Sequence, residues 1–135
     1  MLMLSTDGSY ERNHIMNAAA HQWTAALATG AILHAGEIQR GEATVWPIAG
    51  GAVAAVLTKL PDVLEPAVHP HHRQFFHSVV CAALVAAGWK KLHEWQPQSD
   101  EGRFMRKIGM IGAGAYLCHL ALDALTPRSL PLVGR

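Results

Sequence analysis

The run AGGAVAAVL (residues 49–57) contains no charged residue, and IGMIGAGAYL (residues 108–117) has a similar mixture of small and large apolar side chains. These runs lie within two of four apolar segments, which cover residues 17–36, 43–60, 75–92 and 107–125. Each segment is about 18–20 residues long and rich in Ala and Leu, which favours a helix over a strand. At about 1.5 Å per residue, each helix would approach 30 Å, the thickness of a bilayer core. We therefore predict an all-α fold, arranged as an up-down four-helix bundle.

Length and composition limit the class of protein. The chain has 135 residues, which predicts a single domain over residues 1–135, with a polar N-terminal segment at residues 1–15. Half of the residues are apolar and 16% are charged, a balance that excludes a disordered chain. The formal net charge of +1 argues against a nucleic-acid partner bound by bulk charge.

Two features bear on membrane association. The spacing of Gly50 and Ala54, and of Gly109 and Ala113, suits close helix contact in lipid. Polar residues in the first segment, such as His21, favour instead a soluble bundle that buries small side chains tightly. We predict membrane association, with membrane lipid as a partner, and leave the soluble bundle open.

Polar residues converge at one end of such a bundle. In an up-down order, the start of the first helix meets the end of the second, the start of the third and the end of the fourth. Metal-ligating residue types occupy these four positions. They are His21, Asp62, Glu65, His69, His71, His72, His77, His119 and Asp123. The opposite end, with Glu37 to Glu42 and the loop near Asp100, has the character of ordinary solvated charge.

These residue types fit a divalent metal site. Imidazole and carboxylate groups are ligands for zinc, manganese and iron, whereas both cysteines lie inside apolar runs. His119 and Asp123 are four residues apart on one helix face, so both can reach one ion. A structural pair, hydrogen-bonded to each other, is the alternative for these two residues. His14, His34 and His93 are predicted to be surface or capping residues without a part in the site.

Three ordered motifs carry a family resemblance. They are LPDVLEP (residues 60–66), HHRQFFHS (residues 71–78) and HLALDALTPRSLPL (residues 119–132). With these motifs the chain resembles the YdjM-type membrane-bound metal-dependent hydrolases over about residues 16–135, and more widely zinc-dependent phospholipase C and related zinc nucleases. Many members carry a second Asp two places after the first, where this chain has Leu64. Either Glu65 substitutes for that ligand, or one metal subsite is weakened.

The resemblance implies a hydrolase of the bacterial inner membrane with a metal centre. The expected substrate is a phosphoester, such as a phospholipid head group or a small soluble ester. The implied metal ligands are His21, Asp62, His72, His77, His119 and Asp123. Zinc is the expected metal, as one or two ions, with manganese and iron as alternatives. Glu65 is the candidate general base or extra ligand, and Arg73 the candidate for stabilising charge on the phosphate.

Two other functions are open at this point. The first is a non-catalytic membrane protein or scaffold with a structural metal site, which needs four ligands and no open position. The second is a soluble bundle that carries a redox metal, although the chain lacks the paired Glu-x-x-His motifs of di-iron bundles. A homo-oligomer is compatible with each of these functions.

Overall fold

The computed structural model describes residues 7–64, 75–125, 130 and 132, and the side chains among them from residue 18 onward. These residues contain no strand, so the all-α prediction is confirmed. The elements are α1 (Asp7–Arg40), α2 (Trp46–Leu57), α3 (Leu60–Leu64), a short 3-10 helix (Phe75–His77), α4 (Val79–Glu94) and α5 (Asp100–Ala124).

Helix α5 is the central element of the described structure. It packs against α1, α2 and α4, and α1 also packs along α2. The short α3 contacts both α5 and the 3-10 helix, which brings the residues after α2 to the C-terminal part of α5. The up-down order of the four helices stays a prediction.

Several predicted helix boundaries are wrong; the fourth helix, for example, begins at Asp100 and not at residue 107. The second helix was expected to run to residue 60, but α2 ends at Leu57, and Pro61 lies inside α3. A proline ring clashes with the carbonyl group four residues before it, so the break falls at Thr58–Lys59, ahead of the proline. The first helix is longer than its apolar segment, because α1 begins at Asp7 and includes the polar residues that precede the segment.

The third helix also starts later than the sequence predicts. Phe75 to His77 form a 3-10 turn, and α4 begins at Val79. Ser78 has extended backbone angles and its hydroxyl accepts a hydrogen bond from the Cys81 amide, which makes it the N-cap.

Small residues form the contact between the long helices. Ala25, Ala54 and Ala115 are buried together with Ile111. A Cβ atom added at Gly51 would lie 2.8 Å from the Ala26 carbonyl oxygen, closer than real Cβ contacts. Helices α1 and α2 can therefore approach each other only because residue 51 has no side chain.

Large apolar side chains lie mostly on the outside. Trp23, Ile32 and Ile48 are 68%, 72% and 83% exposed, and many other large apolar residues are exposed in the same way. So many exposed large apolar side chains are unusual for a soluble monomer and normal for a surface in contact with lipid. By length and composition, Trp46–Leu64 is one stretch among the described residues that could cross a membrane.

The turn between α1 and α2 contains a buried carboxylate that the sequence does not reveal. Glu37, predicted to be a solvated charge, is only 4% exposed and accepts a hydrogen bond from the Thr44 hydroxyl. That hydrogen bond lowers the pKa of Glu37. The Thr44 oxygen also accepts a hydrogen bond from the Trp46 amide, which links the end of α1 to the start of α2. Gly41 provides the positive φ of 65° that the turn requires.

Two glycine substitutions test the close helix contact. We expect Gly51→Ala to lower the free energy of unfolding by about 1–3 kcal/mol, because the new methyl group pushes α1 away from α2. The matched control is Gly88→Ala in α4, where an added Cβ meets nothing within 4 Å. This control should raise stability by about 0.5–1 kcal/mol through helix propensity alone. Equal unfolding temperatures for the two variants in detergent would contradict the account.

Candidate metal centre

The C-terminal half of α5 carries the buried part of the site. Ala115, Tyr116, His119, Leu120 and Asp123 are all buried and recur at the spacing of one helix face. His119 and Asp123 are 2% and 4% exposed. Two polar side chains in an apolar stripe are costly unless other groups satisfy them, so this face of α5 requires polar partners from other elements.

Helix α1 supplies the first partner. The His21 ring stacks on the His119 ring, with centroids 4.1 Å apart and planes 18° apart. His21 Nε2 lies 3.4 Å from Asp123 Oδ1. The buried Ala25, one turn further along α1, leaves room for α5 to approach this closely. His21 was expected near the start of the first helix, but α1 begins at Asp7 and places it well inside the helix.

Helix α3 and the 3-10 helix supply two more partners. Asp62 lies in α3 and His77 closes the 3-10 turn, and their side-chain atoms Oδ1 and Nε2 are 3.2 Å apart. His77 Nε2 is also 3.8 Å from Asp123 Oδ2. The Asp62 side chain is 55% exposed, whereas that of His77 is 2% exposed. Among the described residues of the cluster, Asp62 is therefore the most accessible.

The spacing of these atoms suits ligands on one ion. His119 Nε2 lies 3.6 Å from Asp62 Oδ1 and 3.5 Å from Asp123 Oδ2. A tetrahedral ion with ligands at about 2.0–2.1 Å separates neighbouring ligand atoms by about 3.3–3.4 Å. Two groups of three, His21 with His119 and Asp123, and Asp62 with His77 and His119, could hold a metal ion.

Unsatisfied nitrogen atoms give an independent indication. Both ring nitrogens of His119 and Nδ1 of His21 are buried without a hydrogen-bond partner among the described residues. An imidazole always carries at least one N–H group, and a neutral ring also carries one lone pair. Leaving such atoms buried and unpaired costs about 1–3 kcal/mol each, a cost that a bound ion would remove at the nitrogen it occupies.

The structure thus brings together five of the six predicted ligands, and their role as ligands stays a prediction. The sixth, His72, lies outside the described residues, as do Glu65, His69, His71 and Arg73. His34 and His93 are exposed and distant in sequence from the cluster, as expected for residues without a part in it. Of His14, the structure describes only the backbone.

Tyr116 is a supporting residue that the sequence reading missed. Its hydroxyl donates a hydrogen bond of 2.8 Å to the carbonyl oxygen of Phe76, the residue before His77. On the other side of His77, the Ser78 hydroxyl donates to the Phe75 carbonyl oxygen at 2.6 Å. The backbone around His77 is therefore fixed from both sides. The position of Tyr116, three residues before His119, is the sequence signal that could have indicated it.

Removing the Tyr116 hydroxyl tests this support. We expect Tyr116→Phe to keep the ring packing but to weaken divalent-metal binding by about tenfold, the lower end of the effect of orienting hydrogen bonds around metal ligands. Metal titration of purified protein measures the effect. Cys118→Ala, on the same helix and half-buried, serves as the control. Equal metal affinity for wild type and Tyr116→Phe would show that the hydrogen bond has no part in placing His77.

Comparison with known proteins gives the chain its family. The model of the family described as YdjM inner membrane protein matches residues 16–133. No curated protein and no solved structure matches the chain. The match includes all five clustered residues and also residues 65–74, which lie outside the described structure. It also agrees with the exposed apolar side chains. The wider resemblance to zinc-dependent phospholipase C stays a prediction. The chain belongs to the YdjM inner membrane protein family, and its place is the bacterial inner membrane.

Proposed function

We propose that this protein is a metal-dependent hydrolase that cleaves a phosphoester, with a phospholipid head group as the favoured substrate. The observation that carries the proposal is the environment of His119. Its ring is buried, its nitrogens have no hydrogen-bond partner among the described residues, and two carboxylates lie 3.5–3.6 Å away. That arrangement is costly for an apolar bundle unless a cation occupies it.

Zinc is the metal that the proposed ligands favour. His77, His119, Asp62 and Asp123 offer two imidazoles and two carboxylates, a set common at zinc sites and compatible with manganese or iron. Two ionised carboxylates would balance the charge of a divalent ion. His21, which faces the other oxygen of Asp123, would either orient that carboxylate or contribute to a second ion.

The exposure of Asp62 supports catalysis over a purely structural role. A structural zinc site is closed, whereas a catalytic site keeps a position for water or substrate. Here His77, His119 and Asp123 are buried and would hold the ion as three ligands, while Asp62, whose side chain is 55% exposed, would be the ligand that gives up its position to water or substrate. A phosphate group could therefore approach the cluster from the side of Asp62.

The divalent ion, when bound, would lower the pKa of water and polarise a phosphate oxygen. The residues of the chain would orient the ester and move protons. Glu65, three residues after Asp62, is the candidate general base. Arg73 is the candidate for neutralising charge on the phosphate through its planar guanidinium group. Both residues lie outside the described structure, so their roles rest on the sequence motifs.

A metal site that only stabilises the fold is the second candidate function. The burial of His77, His119 and Asp123 between three helical segments favours it, because an ion there would cross-link α3, the 3-10 turn and α5. The two candidates predict the same bound metal but different consequences of removing Asp62.

Metal analysis of the purified protein tests the first step. We expect the wild type to retain stoichiometric divalent metal after purification in detergent, and His119→Gln to lose most of it, because both trios of candidate ligands include His119. His93→Gln, an exposed histidine on α4, is the matched control and should keep the metal. Circular dichroism checks that His119→Gln is folded. A metal-free wild type, or equal metal in both variants, would contradict the metal site.

Phosphoester hydrolysis tests the second step. We expect metal-loaded wild type to hydrolyse bis-p-nitrophenyl phosphate or to release a phospholipid head group, and Asp62→Asn to lower the rate by at least about tenfold. Because the Asp62 side chain is exposed, we expect Asp62→Asn to remain folded. Unfolding would then not explain the lower rate. Glu94→Gln, another exposed carboxylate, is the control. If metal-loaded wild type hydrolyses neither ester, the structural site is the correct function.

A further inference from the structure

A groove of about 760 Å³ lies along the contact between α1 and α2. All twelve lining residues come from these two helices, and ten of them are apolar or glycine. The two polar residues, Gln22 and His34, mark positions twelve residues apart on α1. Trp23, Leu27 and Ile48 form largely exposed walls, so the groove is open to the surroundings of the helices.

The floor of the groove is fixed by close backbone contacts. A Cβ atom at Gly30 would lie 3.1 Å from the Pro47 carbonyl oxygen, and one at Gly51 would lie 2.8 Å from the Ala26 carbonyl oxygen. At the end of the groove that Gln22 marks, the side-chain amide of Gln22 donates a hydrogen bond of 3.4 Å to the Ala55 carbonyl oxygen. The groove is therefore a feature of the helix contact and does not depend on the rotamer of one side chain.

The length of the groove along α1 is close to the thickness of one leaflet of a bilayer. Twelve residues of α-helix cover about 18 Å, close to the roughly 15 Å that is half of a bilayer core. Gln22 directly follows His21, so one end of the groove is level with the metal cluster along α1. The other end extends along α1 away from the cluster.

A cluster of aromatic and basic residues at the opposite end of the bundle supports this position of the groove relative to the bilayer. Trp46 packs against Phe104, and Lys107 Nζ lies 4.1 Å from the centre of the Trp46 ring. Such pairs are typical of the membrane–water interface. Phe104 and Asp123 are separated by about 28 Å along α5, close to the roughly 30 Å of a bilayer core. The metal cluster would then lie at one interface and this group at the other.

We propose that the groove holds an acyl chain of one phospholipid, from the leaflet whose head groups are level with the metal cluster. The proposal deepens the proposed function, because the bound phospholipid would be the substrate, with its phosphate near Asp62. The absence of charged residues from the lining favours a hydrocarbon chain. The walls of the groove are open, and its length is close to the thickness of one leaflet. Both features favour an acyl chain that enters from the bilayer.

Two groove-filling substitutions test the proposal. Ala31 and Ala52 line the groove, one on each helix, and both are exposed, so Ala31→Phe and Ala52→Phe add bulk without creating a clash in the core. Ala83→Phe, at an exposed position of α4, adds the same bulk outside the groove. Native mass spectrometry with palmitoyl-oleoyl phosphatidylglycerol measures bound lipid. We expect wild type and Ala83→Phe to retain one lipid per chain, and both groove variants to bind at least about tenfold more weakly.

The outcomes separate the groove from the hydrolase. If wild type binds lipid and both groove variants lose it, the groove is supported even when no phosphoester is hydrolysed. If both variants retain lipid as wild type does, the groove proposal is overturned, whether or not bis-p-nitrophenyl phosphate is cleaved. A wild-type dimer that either groove variant converts to a monomer would identify a second copy as the occupant and would also overturn the proposal.

Discussion

The buried imidazole of His119 lies between Asp62 and Asp123, with its neighbour His21 stacked against it. Each unpaired buried polar atom costs about 1–3 kcal/mol, and an unpaired buried charge costs more. The residues around His119 come from α1, α3, the 3-10 turn and α5, so the contacts of all four elements are arranged around this polar cluster. A cation would turn the cluster from a cost into a strong link between these elements, which is why the cluster is a candidate metal centre.

The cluster can form only because small residues let the helices approach closely. Ala25, Ala54 and Ala115 fill the core, and Gly51 allows the α1 backbone to pass near α2. Large apolar side chains, with few positions left for them inside, cover the outer surface. This arrangement is unfavourable in water, where such a surface would associate, and suitable in lipid. Small residues inside and large apolar residues outside thus account together for three features. They are the membrane location, the close helix packing and the buried polar site.

The sequence predicts the helical class and the meeting of His21, Asp62, His77, His119 and Asp123, because helix period and chain order are enough to place them. It does not predict where the helices break. The break before Pro61 depends on a clash with a preceding carbonyl group, and the start of α4 depends on Ser78 acting as a cap. The burial of Glu37 was missed because its partner Thr44 lies across a turn. The support from Tyr116 was missed because its partner is a backbone carbonyl group, and only its position three residues before His119 pointed to a role near the cluster.

The most direct test of the central claim is X-ray absorption spectroscopy at the zinc edge of protein loaded with zinc in detergent. The account predicts a first shell of nitrogen and oxygen at about 2.0–2.2 Å, with the outer-shell scattering of two or three imidazole rings. In Asp123→Ala, the first shell should lose one light ligand or the zinc should be lost. A shell of sulfur at about 2.3 Å, or a hydrated ion without imidazole scattering, would show that zinc binds elsewhere and would contradict the account.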